Sequence, residues 1–116
     1  MTINPRSHHG AIIDPMPDQP DSRRLRIFLY GEIDMATAHR AQSVIDDALG
    51  GYPDRLDIDL GDVSFLDSSG ITMLMGCWRR ADGLGCRLSV VNARPNVYRV
   101  LQITGVLGVL DVATPV

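Results

Sequence analysis

The chain has 116 residues, the size of one ordinary domain, and 45% of them are hydrophobic, enough to build a core without disulfides or metal ions. Its net charge of −3 argues against binding to nucleic acid or to an anionic membrane surface, since both require a basic protein surface. The sequence contains no lysine. This excludes a phosphate-binding P-loop, a protein kinase and Schiff-base catalysis, because each of these needs a lysine side chain.

The apolar runs of the chain are too short to span a bilayer, and its first residues lack the apolar stretch of a secretory signal. We therefore expect a cytoplasmic protein without a membrane partner. Cys77 and Cys86 are expected to be ordinary reduced thiols, with a redox switch as the alternative. His8 and His9 supply only two potential ligands, so we expect no metal site, and the sequence indicates no cofactor.

The first 23 residues differ in composition from the rest of the chain. They contain four prolines and few apolar residues, so residues 1–23 are expected to be largely flexible, with a short edge strand near residues 11–13. Residues 24–116 are expected to form a single domain.

From Leu25 onward, the sequence predicts alternating strands and helices. Apolar residues at every second position predict strands at 25–30, 56–60 and 86–90. Helical spacing predicts helices over Ala36–Leu49, from after Leu66 to Gly83, and from Pro95 to Gly105, and a short strand follows at Val109–Leu110. The second helix is expected to bury Ile71, Leu74, Met75 and Trp78, with Cys77 on its flank.

These elements predict an α/β fold. The strand–helix–strand order implies parallel neighbouring strands joined by right-handed crossovers. Strands covered on both faces are continuously apolar, whereas these strands alternate, so the helices are expected to pack on one face. The sequence thus predicts a mixed, mostly parallel sheet of four to five strands, with a more solvated opposite face that carries Asp57 and Asp59.

The segment Phe65–Gly70 is the main candidate site. It lies where a strand ends and a helix begins, and the free N–H groups of a helix N-terminus stabilise anions. Asp67 and Ser68 are both suitable N-caps, and the simplest interpretation is that these residues only cap the helix.

Serine hydrolase chemistry is another interpretation of this segment, because Leu66–Gly70 resembles a nucleophile elbow that lacks its first glycine. In that fold, the catalytic histidine follows the serine along the chain. Here His8, His9 and His39 all precede Ser68. No base is left to activate the serine, so we expect no catalytic residue and no enzymatic activity.

Two motifs make residues 25–110 similar to a known family. Gly31-Glu32-Ile33-Asp34 and Phe65-Leu66-Asp67-Ser68-Ser69-Gly70, with a helix and a strand between them, resemble the STAS domain of bacterial anti-sigma factor antagonists, also called anti-anti-sigma factors. The second motif is similar to the family's phosphorylation loop. There, the first serine after the aspartate is phosphorylated, and Ser68 occupies that position here.

This resemblance implies a switch that regulates sigma-factor-dependent transcription. The unphosphorylated antagonist binds an anti-sigma factor that is itself a serine kinase, phosphorylation of Ser68 releases it, and a phosphatase resets the switch. The implied partner-binding residues are Asp34, Asp67, Ser68, Ser69 and Gly70, and Asp34 is equally well explained as the N-cap of the first helix. The alternative is a STAS-type structural or scaffolding subunit of a transporter or signalling complex, in which Ser68 is not phosphorylated.

Overall fold

The computed structural model of the protein describes residues 11–15 and 23–114. Its strands are β1 (Ala11–Pro15), β2 (Arg24–Ile33), β3 (Arg55–Leu66), β4 (Arg87–Val91) and β5 (Asp111–Val112). Its helices are α1 (Ala38–Leu49), α2 (Ser68–Gly83) and α3 (Pro95–Ile103), followed by a 3₁₀ turn at Val106–Gly108. The expected edge strand is present as β1, whereas the flexibility expected for residues 1–23 concerns mainly residues outside the described ranges. Over those ranges, every helix is too short or too polar to cross a membrane.

The five strands form one sheet in the order β1-β2-β3-β4-β5. β1 runs antiparallel to β2, and the other three neighbouring pairs are parallel. Each step from β2 to β5 moves to the next strand in the same direction, and right-handed crossovers then place α1, α2 and α3 on the same face. The predicted mixed sheet with helices on one face is confirmed.

The core lies between this face of the sheet and the helices. Ile27, Ile58 and Val90 are in register on neighbouring strands, and none of them is exposed. Ile45 of α1 and Leu74 of α2 are also fully buried. Each such side chain contributes about 1.5–3 kcal/mol relative to an exposed one, and this burial holds the helices on the sheet.

β2 and β3 extend further than their alternating patterns predict. Gly31 was expected to end the first strand, but β2 continues to Ile33. The φ of Gly31 is +79°, a conformation that glycine adopts at little cost, and the pairing register with β3 shifts directly after it. β3 continues through Gly61 to Leu66, with a shift of the pairing register against β2 between Asp59 and Asp62. These two extensions carry the candidate site.

Two other predicted boundaries are wrong. α1 begins at Ala38 and not at Ala36, because the preceding four residues form a hydrogen-bonded turn built around Asp34. The last strand is Asp111–Val112 and not Val109–Leu110, because the 3₁₀ turn delays the return of the chain to the sheet.

The sheet face opposite the helices is less solvated than predicted. Asp57 and Asp59 are only 2% and 6% exposed. Arg26 lies across both carboxylates, with N–O distances of 3.7 and 3.8 Å, and Arg55 Nε is 3.0 Å from Asp57. The expected solvated face is therefore wrong at this place, because long arginine side chains fold over the carboxylates and cover them.

Cys77 and Cys86 are buried free thiols. Cys77 has no exposed surface, because α1 packs against α2 on that side, with Asp46 near the thiol. Burial raises the pKa of Cys77 to about 11, against the opposing effect of Arg80, and burial also raises the pKa of Cys86. Both thiols are protonated at neutral pH, and the protonated form reacts slowly.

Candidate partner-binding site

The ends of β2 and β3 bring the two sequence motifs together. Ile33 and Leu66, the last residues of these parallel strands, are in register. The backbone N–H of Asp67 donates to the carbonyl oxygen of Ile33 across 3.2 Å. Neighbouring strands lie about 4.8 Å apart, so Asp34 and Asp67 leave the sheet side by side at the same edge.

Asp67 is the N-cap of α2. Its backbone is extended, with φ −107° and ψ −170°, and its Oδ1 accepts hydrogen bonds from the N–H groups of Ser69 at 2.8 Å and Gly70 at 3.3 Å. The carbonyl of Asp67 accepts the first helical bond, from Ile71, at 3.1 Å. A carboxylate is favourable here, because the helix N-terminus carries a partial positive charge.

Ser68 is the first residue of α2 and is exposed. Its hydroxyl has no hydrogen-bond partner within the described part of the chain. The sequence allowed either Asp67 or Ser68 to cap the helix, and the structure assigns that role to Asp67 alone. The Ser68 oxygen is therefore exposed and not engaged by any of the described residues.

Gly70 fixes how closely α2 approaches the strand ends. It is buried, and a Cβ at this position would overlap Leu66 Cδ1 and lie 3.1 Å from Ile33 Cγ2. The first turn of α2 thus rests directly on the last residues of β2 and β3. Gly70 is buried and shapes the site from beneath, whereas Ser69, beside Ser68, is partly exposed.

Asp34 organises the turn between β2 and α1. Its Oδ1 accepts hydrogen bonds from the N–H groups of Ala36 at 2.9 Å and Thr37 at 3.1 Å, and from the Thr37 hydroxyl at 3.1 Å. That hydroxyl also donates to the carbonyl of Glu32 at 2.9 Å. The N-cap of α1 is Thr37 and not Asp34, so the expected capping role of Asp34 is replaced by a role in the turn that precedes the helix.

Two exposed apolar side chains flank these acidic residues, and the sequence interpretation missed both. Met35 is 83% exposed in the turn after Asp34, and Phe65 is 46% exposed near the end of β3. An exposed apolar side chain near the end of each strand is a candidate contact for a protein partner. No sequence signal identifies Met35 as exposed, because an apolar residue between a strand and a helix can also be buried, as Ala93 is between β4 and α3.

The site has the chemistry of a binding surface. Among the described residues, no histidine, carboxylate or arginine lies within hydrogen-bond distance of the Ser68 hydroxyl, so none of these side chains activates it as a nucleophile. Residues 11–15 and 23–114 also contain no cluster of His, Cys, Asp and Glu that could hold a metal ion. What the geometry offers is an exposed hydroxyl at a helix N-terminus, with two aspartates and two apolar side chains around it.

Comparison with known proteins identifies similar chains. The family described as "Mlab, STAS domain" matches residues 18–111. The anti-sigma-B factor antagonist of Listeria monocytogenes is 26% identical over 92 residues, which cover 79% of this chain and 81% of the relative. The anti-sigma F factor antagonist of Paenibacillus polymyxa is 25% identical over 89 residues, which cover 76% of each chain.

Solved structures share the fold. An anti-sigma factor antagonist from Mycobacterium paratuberculosis aligns with a TM-score of 0.78 at 24% identity, over 91% of this chain and 86% of the other. The antagonist SpoIIAA in its unphosphorylated form aligns with a TM-score of 0.70 at 24% identity, over 90% and 88% of the two chains. SpoIIAA from Bacillus in its phosphorylated form aligns with a TM-score of 0.64 at the same identity, over 90% and 91%.

Proposed function

Because this chain belongs to the STAS domain family, we propose that it is a cytoplasmic anti-sigma factor antagonist that is switched at Ser68. Unphosphorylated, it binds an anti-sigma factor with serine-kinase activity and so permits sigma-factor-dependent transcription. The kinase phosphorylates Ser68 and the complex dissociates, and a phosphatase restores the binding form. The curated relatives named as anti-sigma factor antagonists, and the phosphorylated and unphosphorylated forms of SpoIIAA, support this proposal.

The observation that carries the proposal is the unengaged Ser68 hydroxyl. A serine that only capped α2 would direct its oxygen at the helix N–H groups, but Asp67 already accepts from them. A phosphoryl group on Ser68 would replace no internal hydrogen bond, so the modified chain keeps its fold. The hydroxyl is thus free to be a phosphate acceptor.

Phosphorylation would change the charge of this surface strongly. A phosphoserine adds about −1.5 to −2 charges at neutral pH. The helix N-terminus offsets an anion by only about 0.3–1 kcal/mol, and the Asp67 carboxylate already occupies it. The new charge would also stand beside Asp34, at the adjacent strand end. A partner that fits the neutral serine would have to bury an unpaired dianion, which costs several kcal/mol.

The same surface supplies the contacts for a complex. Met35 and Phe65 are apolar and exposed, and burying such side chains is a main source of binding energy in interfaces. The turn uses only Oδ1 of Asp34, and the described residues do not engage Oδ2, so this oxygen is offered to a basic group of the partner. In this proposal, Asp34, Asp67, Ser68 and Ser69 lie at the interface and Gly70 supports them from beneath.

The proposal is tested with the full chain in its native cells. Mass spectrometry of the purified protein is expected to find phosphate on Ser68. Wild-type and Ser68→Ala baits are expected to capture the same ATP-dependent serine kinase, and Ser68→Asp is expected to capture at least tenfold less. Ser43→Asp, which adds the same charge to the exposed surface of α1, is the matched control and should bind like wild type.

If Ser68 carries no phosphate under any growth condition, and all four baits capture the same proteins equally, the switch is wrong. A scaffolding subunit of the same fold would give that result.

A further inference from the structure

β3 projects beyond its neighbour on one side. The pairing of β3 with β4 ends at Asp59, opposite Val91. Residues 61–66, which lead to Ser68, have β2 on one side and no strand on the other. We call residues 61–66 the β3 extension. The candidate site at Asp67 and Ser68 follows directly after this extension.

Two side chains at the start of α3 bind this open edge. Arg94 Nε donates to the carbonyl oxygen of Gly61 at 2.9 Å, and Asn96 Nδ2 donates to the carbonyl oxygen of Ser64 at 3.0 Å. Both residues are exposed, so neither is a core residue. Their hydrogen bonds take the place of a missing strand along the β3 extension.

The base of the extension is held in the same way. Asp59 Oδ1 accepts from the backbone N–H of Gly61 at 2.8 Å, and its Oδ2 accepts from Asn92 Nδ2 at 2.8 Å. Asn92 has a φ of +59°, which directs the chain out of β4 toward α3. The register shift of β3 at Gly61 is therefore tied to the loop from which Arg94 and Asn96 extend.

Ser64 is a residue of the extension that does not pair with β2. Val63 pairs with Gly31 and Phe65 pairs with Glu32, so Ser64 is an extra residue without a partner in β2. A bulge of this kind sets which side chains after it point inward. Here, Leu66 is buried and Phe65 is exposed. The bond from Asn96 to the Ser64 carbonyl stabilises the bulge that produces this arrangement.

We infer that Asn96, assisted by Arg94, is a positioning residue for Ser68: it holds the bulge at Ser64 and thereby presents Ser68 and Phe65 to the partner. This inference rests on the proposed function, because it concerns the recognition of the same serine. The inference implies that the N-terminal turn of α3, which lies outside both sequence motifs, determines how well the partner recognises Ser68.

The test variant is Asn96→Asp in the full chain. Aspartate has the shape of asparagine but cannot donate the hydrogen bond to Ser64, while a carboxylate in the first turn of α3 suits the helix N-terminus. If Asn96 only stabilised α3, the substitution would leave α3 at least as stable as it is in the wild-type chain. Gln102→Glu is the matched control, because it makes the same chemical change at an exposed position of α3 away from the extension.

The first readout is amide hydrogen exchange. In Asn96→Asp, the amides of residues 65–67 are expected to exchange about three- to tenfold faster, the factor expected for the loss of one hydrogen bond. The amides of β4 should be unchanged, and Gln102→Glu should exchange like wild type. Asn96→Gln, which keeps the amide donor on a longer side chain, should restore part of the protection. Unchanged exchange at residues 65–67 in Asn96→Asp would overturn the inference.

The second readout is the fraction of Ser68 that carries phosphate in native cells. It is expected to fall at least threefold in Asn96→Asp and to stay at the wild-type level in Gln102→Glu. Faster exchange with an unchanged phosphate fraction would overturn the positioning role and leave the proposed function intact. If wild-type Ser68 is never phosphorylated, the proposed function fails, and the positioning role fails with it.

Discussion

The α-carbon of Gly70 lies against the side chain of Leu66, and a methyl group on that carbon would overlap Leu66 Cδ1. Gly70 is in the first turn of α2, and Leu66 is the last residue of β3. This contact sets the distance between the helix that begins at Ser68 and the strand that precedes it.

Gly70→Ala is therefore expected to destabilise the protein by about 1–3 kcal/mol, because overpacking at a buried backbone contact outweighs the gain in helix propensity. Chemical denaturation measures this change. Gly76→Ala in the same helix is the matched control: its Cβ would meet only the end of the Arg80 side chain, at 3.4 Å, so a gain of about 0.5–1 kcal/mol is expected. Equal effects of the two substitutions would show that the packing at Gly70 is not restrictive.

Asp67 caps α2 and Ser68 does not, so substitutions of these adjacent residues should differ in their effect on stability. Asp67→Ala removes the acceptor of two backbone hydrogen bonds and is expected to cost about 0.5–2 kcal/mol of unfolding free energy. Ser68→Ala removes a hydroxyl that has no partner in residues 11–15 and 23–114, and it is expected to change stability by less than about 0.5 kcal/mol. Thermal or denaturant unfolding of the two variants tests this order, and a larger loss for Ser68→Ala would contradict the assignment.

The charged network on the helix-free face is expected to be sensitive to the loss of one carboxylate. Asp57→Asn removes the buried negative charge that pairs with the guanidinium groups of Arg26 and Arg55. About 1–3 kcal/mol of unfolding free energy should therefore be lost. Asp111→Asn is the matched control, since its ion pair with Arg87 is largely exposed and should contribute less than about 1 kcal/mol. Similar losses in both variants would indicate that burial of Asp57 does not strengthen its interactions.

Because the thiol of Cys77 is buried, we expect the protein to lose stability at alkaline pH. Its pKa is about 11 in the folded chain, against an ordinary value of 9.0. Between these values, the unfolded chain releases a proton that the folded chain keeps, so raising the pH favours unfolding, by up to roughly 3 kcal/mol. Unfolding measured from pH 8 to 11 should show this decline, and Cys77→Ala should show a smaller one. An identical decline in the variant would assign the effect to other groups.

Much of the fold was predictable because it depends on local patterns. Alternating apolar residues located β2, β3 and β4, and Pro95 marked the first turn of α3. The segment from Phe65 to Gly70 was recognisable because a strand that ends and a helix that begins have characteristic residue types. These features depend on side-chain periodicity and capping chemistry within a few residues of each other.

The burial of Asp57 was not predictable in the same way, because it depends on an arginine from the neighbouring strand that folds across it. The assignment of the cap to Asp67 also required coordinates, since aspartate and serine have similar capping preferences and only their backbone geometry distinguishes them. Met35 and Phe65 became recognisable as surface residues only when the ends of β2 and β3 were placed side by side.

The sequence by itself determined the element order, the helix-covered face of the sheet and the identity of the serine at the start of α2. The tertiary structure decided that Asp67 and not this serine caps the helix, and that Asn96 bonds to the strand leading to it. The physical reason is the separation along the chain between the residues that interact. Periodicity and capping act between residues close in the chain, whereas the bond from Asn96 to Ser64 joins residues 32 positions apart and exists only after the sheet has formed.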